Sequence, residues 1–308
     1  MKLIRLISLL ESTRYKGTLT ILKNLNLKIN PKAYWTGHLV EVDRFKSVDE
    51  SLSHFHWRNS QYPGYIELMP VNTGDDLVVL DFGCGPGNDL VGFSQFSNPA
   101  ELYGIDVSPK AINLARERLA LHGSNVSFQN CDEKFTRIDL PDDSVDLIHS
   151  SGVLHHMTNP DLALQEFYRI LKPGGKVQIM VYNRNSLWFH LKTAYQTQIL
   201  ENKFGKLTTL EAFEKTTDGE FCPIARCYKP EEFLAIVENI GFKGWHKGNS
   251  FSLIEAAILP LIPQALMDKR LSEEHRNFLE GLTYNEKNFP VHAGHVAGIN
   301  SCFEFTKQ

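Results

Sequence analysis

Leu77-Val78-Val79-Leu80-Asp81-Phe82-Gly83-Cys84-Gly85-Pro86-Gly87-Asn88-Asp89 is the stretch that decides how this chain reads. A short apolar run, rich in β-formers, ends in an acid and breaks into glycines at every second position. A helix-compatible stretch, residues 89–96, follows at once. Strand, glycine turn and helix bring backbone N–H groups and a helix N-terminus close to a bound ligand. Gly83, Gly85 and Gly87 let the chain turn sharply and leave no Cβ between the backbone and that ligand.

Working outward, the pattern stays regular. Strand-like runs fall at 77–82, 101–105, 126–130, 145–150 and 176–182, with helical stretches at 88–96, 109–122 and 160–171 between them. Ser108 and Pro109 form a helix start, and Lys172-Pro173-Gly174-Gly175 stops the third helix. Strands alternating with helices of this length predict right-handed βαβ units and a parallel sheet. Before this core, residues 1–70 lack a strand series. Leu3, Ile4, Ile7 and Leu10 recur at helical spacing, and the stretch 34–65 is dense in aromatics and histidines, so 1–70 reads as a helical cap. The remainder, 71–308, reads as one domain with helical insertions at about 183–228 and 250–295. Two further strands are expected at 242–246 and 298–305.

Two ligand classes suit the turn. A dinucleotide requires Gly-x-Gly-x-x-Gly, whereas here the spacing is Gly83-x-Gly85-x-Gly87, with Asn88 in the third glycine's place. Asp81, just ahead of the turn, disfavours a pyrophosphate and favours a cationic group. Asp106, ending the second strand, is placed to accept from both hydroxyls of a ribose. A ribose, a positive group and no phosphate describe S-adenosylmethionine.

At this point the sequence resembles a family. Residues 79–87 are similar to motif I of the class I S-adenosylmethionine-dependent methyltransferases. Three further segments match it in order: Gly104-Ile105-Asp106-Val107-Ser108, the run 146–156, and Leu171-Lys172-Pro173-Gly174-Gly175. The resemblance covers about residues 75–182, and four segments in register are specific where one glycine turn is weak. It implies a Rossmann-like, mostly parallel sheet with an antiparallel last strand. It also implies roles. Asp81 lies near the methionine amino group, and the backbone of Gly83, Cys84, Gly85 and Gly87 wraps the methionine moiety. Asp106 takes the ribose hydroxyls, and Val107 packs on the adenine. Asp132 accepts from the adenine amino group beside Glu133, and Ser151 is the fourth-strand contact. The third-strand segment Asn130-Cys131-Asp132-Glu133 departs from the family's Gly-Asp-Ala form.

Methyl transfer needs an acceptor aligned on an already activated sulfonium carbon, with a base only where the acceptor is a hydroxyl or protonated amine. His155 is the leading candidate base, and His156 is read as pointing elsewhere. Against this stands the plainer reading of His155 as a pocket-shaping histidine. His54/His56 and His292/His295 lack a third partner for a metal, and Cys222 and Cys227 read as buried or incidental, so no metal site is expected. The insertions are expected to choose the substrate through Trp188, His190, Tyr195, Asp218, Glu220 and Tyr228.

Composition agrees with an enzyme of ordinary type. The 308 residues are 42% hydrophobic and 22% charged, with a net charge of −4, so nothing attracts nucleic acid or an anionic membrane globally. The five cysteines form no framework, which points to a reducing, cytoplasmic setting. Residues 1–10 read as an amphipathic helix and not as a signal peptide, and no run approaches the ~20 apolar residues of a membrane span. The expected function is methyl transfer to a small molecule such as a sugar or quinone-like ring. A dinucleotide-dependent oxidoreductase and a non-catalytic cofactor-binding protein are the alternatives.

Overall fold

The structure, a computed structural model, describes residues 30–39, 43–131, 135 and 137–308. The expected helix at 1–10 lies outside the described residues, as do Asp132 and Glu133. Seven strands make the central sheet: β1 (Val78–Phe82), β2 (Glu101–Asp106), β3 (Ser127–Asn130), β4 (Val145–Ser151), β5 (Leu171–Tyr182), β6 (Phe242–Ser250) and, last in the chain, a strand at Asn300–Lys307. Their order is β3-β2-β1-β4-β5, then the last strand, then β6. The first five run parallel, and the last strand runs antiparallel to both its neighbours, as expected.

β1 is central because Val79, Leu80, Asp81 and Phe82 are buried on both faces, the mark of a parallel strand between helices. Phe82 makes edge contacts with Phe135 and Phe167 at 5.2 and 4.9 Å between ring centres. A fully buried side chain of this size contributes about 1.5–3 kcal/mol. Residues 172–175 loop out of β5: Leu171 pairs with Val145, and pairing resumes at Lys176 with Leu147.

Among the described residues, three helices precede the sheet: α1 (Pro31–Gly37), α2 (Val48–Ser60) and α3 (Tyr65–Leu68). The helices of the βαβ units are α4 (Asn88–Phe96), α5 (Pro109–Leu121) and α6 (Pro160–Ile170). Ser108 caps α5 by accepting from Ala111 N. α2 docks closely on α4 because Gly92 leaves room; a Cβ there would meet Val71 Cγ2 at 2.5 Å and Phe55 Cε2 at 2.9 Å.

The first insertion holds a wide helix with i→i+5 bonding, Trp188–Leu200, and α7 (Thr209–Thr216). α8 (Pro230–Glu238) then leads to β6. The second insertion departs from the all-helical expectation. After α9 (Leu253–Ile258), α10 (Ile262–Met267) and α11 (Glu273–Glu280) comes a small antiparallel sheet of β7 (Thr283–Tyr284), β8 (Pro290–His292) and β9 (His295–Val296). Ala293 and Gly294 both have positive φ, 49° and 82°, the two-residue turn that suits the twist of a hairpin. His292 and His295 therefore face each other across a turn as register partners. The sheet ends with β10 (Asn300–Lys307).

Candidate active site

Strand order reverses between β1 and β4, and in such sheets ligands sit outside the carboxyl ends of the strands at the reversal. A cavity of about 1730 Å³ opens there. One side is the β1–α4 turn with the end of β2. The other combines the turn after β4, the end of β5 and the loop after α7. Asp81, Gly83, Cys84, Gly85, Asp106, Val107 and Ser151 all line it.

Each of these residues is held by local physics. Asp106 accepts from Gly85 N through Oδ2 at 2.9 Å and from Ser108 N through Oδ1 at 2.8 Å, which fixes the carboxylate and the glycine turn together. Burial pushes its pKa up, and those backbone hydrogen bonds oppose the rise. At Gly85 (φ +50°) the space where a Cβ would stand is open, so its backbone is bare to the cavity. Gly83 (φ +80°) has no such room: a Cβ would lie 2.1 Å from Val153 Cγ2. Gly87 does not line the cavity. It starts α4 against α5, where a Cβ would meet Leu119 Cδ2 at 2.9 Å, so close helix packing requires a glycine there.

Behind Asp81 lies an ionic cluster that the sequence reading missed. His149 on β4 is its register partner, and His149 Nε2 contacts Asp89 Oδ2 at 3.2 Å. Arg58 Nη1 on α2 lies 3.5 Å from Asp89 Oδ1. Burial raises the Asp81 pKa, and the His149 charge works against it. For Asp89, burial is outweighed by Arg58 and His149, which hold the carboxylate below its usual range. Tyr65 on α3 hydrogen-bonds Ser151 Oγ, and Arg58 stands over the Tyr65 ring at 5.2 Å. Only the aromatic density of the first segment hinted at these contacts.

On the opposite wall the structure exchanges the two histidines. His155 is fully buried, does not line the cavity, and lies against the Tyr182 ring at 3.8 Å between centres. Neither of its ring nitrogens has a hydrogen-bond partner among the described residues. Burial, and then the neighbouring His156, push its pKa well down. This placement is away from the cavity to which the leading reading of His155 as the base assigned it. His156 lines the cavity instead. Its Nδ1 is 2.6 Å from the Ile224 carbonyl oxygen and its Nε2 is 3.6 Å from Asp218 Oδ2. The Tyr182 hydroxyl donates to Asp218, 3.1 Å from each carboxylate oxygen, and Tyr34 donates to the Asp218 backbone carbonyl. Of the expected insertion residues, Trp188, Asp218 and Glu220 line the cavity. His190 is buried on Phe278, Tyr195 is buried in the insertion's own core, and Tyr228 packs on Phe233.

Residues 73–228 match the sequence profile of a family described as a methyltransferase domain. The chain belongs to the class I S-adenosylmethionine-dependent methyltransferases. S-adenosylmethionine is accordingly its cofactor. Among curated relatives it is 33% identical over 172 residues to a ubiquinone/menaquinone biosynthesis C-methyltransferase, UbiE, of Cupriavidus necator, covering 50% of this chain and 68% of that one. It is 31% identical over 136 residues to an uncharacterised methyltransferase of Schizosaccharomyces pombe, covering 42% and 48%. UbiE of Burkholderia multivorans gives 31% over 129 residues, covering 42% and 51%. The chain thus spans about half the length of the first of these curated relatives it matches. Its fold is shared with the YcgJ protein of Bacillus subtilis, at a TM-score of 0.50 and 17% identity over 79% of this chain and 97% of that one. A chain from the complex of the Haloferax volcanii Trm112 methyltransferase activator with a methyltransferase gives 0.51 and 18%, over 84% and 94%.

Proposed function

We propose that this methyltransferase moves the methyl group of S-adenosylmethionine to a small molecule with a hydroxylated, quinone-like ring. The observation that carries the reading is the shared cavity. The glycine turn and Asp106 form one side of it, and His156, Asp218 and Tyr182 form a polar end on the other. Trp35, Trp57, Trp188, Phe204, Leu207 and Phe221 make much of the remaining wall apolar, which suits a flat ring. The names of the UbiE relatives, which describe C-methylation in quinone biosynthesis, point the same way.

In this reading the open backbone at Gly85 and the turn beside it receive the methionine end, with Asp81 on the amino group. Asp106 keeps two of its lone-pair directions for the ribose hydroxyls, Val107 meets the adenine, and Ser151 borders the methionine. The acceptor's hydroxyl rests at the His156–Asp218 end, where its proton can be drawn off as the ring attacks the methyl carbon. The helices α2 and α3 cover the cofactor, since Arg58 and Tyr65 reach into the same cavity. The cysteines, all free, suit a reducing compartment. No helix among the described residues is long and apolar enough to cross a membrane.

The test is a panel of reduced quinones, catechols and sugars, each incubated with the protein and methyl-labelled S-adenosylmethionine. Label should enter a ring compound with equal release of S-adenosylhomocysteine. Transfer confined to sugars, or cofactor binding with no release on any acceptor, would refute the proposal.

A further inference from the structure

The polar end of the cavity holds a donor set that methyl transfer does not itself require. His156, Asp218 and Cys222 each offer one ligand atom within 4.8 Å of the others, and all three line the cavity. They come from two segments, the 3-10 turn Leu154–His156 and the loop following α7.

The hydrogen bonding at His156 is informative. Nδ1 faces a carbonyl oxygen, which only accepts, so Nδ1 carries a hydrogen. In the neutral ring Nε2 then has a bare lone pair, and it faces the Asp218 carboxylate. Two electron-rich atoms in this position repel unless a positive charge, a proton or a metal ion, lies between them. Cys222 brings a sulfur to the same corner, with Sγ 3.9 Å from His156 Nδ1 and its thiol donating to the Ile224 carbonyl oxygen at 3.2 Å.

The surrounding contacts are those that orient metal ligands. A ligating histidine usually donates its other N–H to a backbone carbonyl, and ligating carboxylates are themselves hydrogen-bonded. Ile224 O does the first here, and the Tyr182 hydroxyl does the second. The 3.6 Å between Nε2 and Oδ2 is close to the roughly 3.3 Å that two ligands of one tetrahedral ion show.

We propose that His156 Nε2, Asp218 Oδ2 and Cys222 Sγ bind one divalent cation of the zinc type and leave its fourth position open to the cavity. Imidazole and thiolate select zinc-like ions over magnesium or calcium, whose ligands are oxygens. Three protein ligands with one open position is the arrangement of zinc sites that act on a substrate. As the ion binds, the Cys222 S–H bond breaks, the sulfur–metal bond forms and the proton leaves to solvent. The open position then takes the acceptor's hydroxyl oxygen and lowers its pKa, so that its proton leaves to solvent and the ring meets the methyl group already deprotonated. This last step rests on the proposed acceptor reading; the binding of the ion does not.

The test uses the full chain, freed of metal by a chelator and titrated with cobalt(II) in the absence of cofactor and acceptor. One equivalent should produce tetrahedral visible bands and a near-ultraviolet thiolate-to-cobalt charge-transfer band, both displaced by zinc. Cys222→Ser should abolish the charge-transfer band, whereas Cys227→Ser should keep it. Loss of a ligand should weaken binding by about 10–100-fold, so His156→Gln should need that much more cobalt. Zinc X-ray absorption on the unmodified protein, showing one sulfur neighbour, is independent of whether any variant folds. No band at stoichiometric cobalt, a band that survives Cys222→Ser, or a zinc shell without sulfur would overturn the site. None of these readouts involves methyl transfer, so their failure leaves the proposed function standing.

Discussion

Asp106 shows how much a single side chain is asked to do. Its two oxygens already hold Gly85 N and Ser108 N, and an ionised carboxylate offers about four lone-pair directions. Two remain, which the proposed reading gives to the ribose hydroxyls. Asp106→Ala is expected to weaken S-adenosylmethionine binding by well over tenfold, at least about 1.4 kcal/mol, in a calorimetric titration. An unchanged affinity would remove Asp106 from the cofactor site. The two adjacent histidines make opposite predictions. Because the His155 nitrogens find no partner among the described residues, His155→Phe should leave turnover within about twofold and hold or raise the melting temperature. His156→Ala should cut turnover about 100-fold while cofactor affinity stays within about twofold. If the Phe variant loses turnover and the Ala variant keeps it, the assignment reverses. Asp81 and Asp106 were legible in the sequence because they flank a glycine turn at set distances along two strands. His155 and His156 were not separable there. Consecutive residues on a tight turn point in different directions; both are buried and both pack on Tyr182, and only His156 reaches the cavity.

Among the elements, β1 through β5 and α4 through α6 were readable because each carries its own period, cap or proline stop. The insertions carry weaker signals. The segment 283–296 looks like the end of a helical run, yet its fold is decided by turn chemistry, with Asn285 Oδ1 accepting from Lys287 N and Phe289 N ahead of the Ala293-Gly294 hairpin. Gly87 was assigned to the ligand because sequence spacing cannot show that Leu119 closes over it. Glu255 was not singled out by the sequence. It is fully buried and accepts from Ser252 N, Ser252 Oγ, Trp188 N and Ile299 N, tying α9 to the wide helix and to the approach of β10. Burial raises its pKa from 4.5 to about 7, against those four hydrogen bonds. A folded value above the unfolded one means that the native state binds more protons in between. The Glu255 contribution to stability is therefore greatest below about pH 4.5 and declines as pH rises through about 7. Urea unfolding of Glu255→Gln across that range should show a flatter pH dependence than the unmodified protein. At the acidic end it should show a loss of about 1–3 kcal/mol, because one amide oxygen cannot serve four donors. Parallel curves would mean that another group titrates.

At the scale of the molecule, the question is how the helices before the sheet come to share a cavity with it. α2 brings Trp57 and Arg58 to that cavity, and α3 brings Tyr65. The sequence showed aromatic density in this region but nothing of its attachment, since the anchor sits in another helix. Arg118 on α5 is 3% exposed, donates through Nε to Ser51 Oγ at 2.8 Å and through Nη2 to Ser51 O at 2.9 Å, and lies 4.4 Å over the Phe45 ring. Nη2 also reaches Asn88 Oδ1 at 3.4 Å, at the start of the helix that follows the glycine turn. One guanidinium thus couples α2, α5 and α4, and through Arg58 and Asp89 it supports the ionic cluster behind Asp81. Arg118→Met keeps the apolar stem and removes the donors. It should cost about 1–3 kcal/mol, from buried acceptors left unpaired. The loss should also be local: amide exchange should quicken across residues 48–68 while β1, β4 and β5 keep their protection. S-adenosylmethionine affinity should fall in step, because Arg58 and Tyr65 lose their footing while Asp106 and the turn stay in place. Exchange that quickens uniformly would show that Arg118 serves the whole core. Quicker exchange at 48–68 with unchanged cofactor affinity would show that these helices do not cover the cofactor at all.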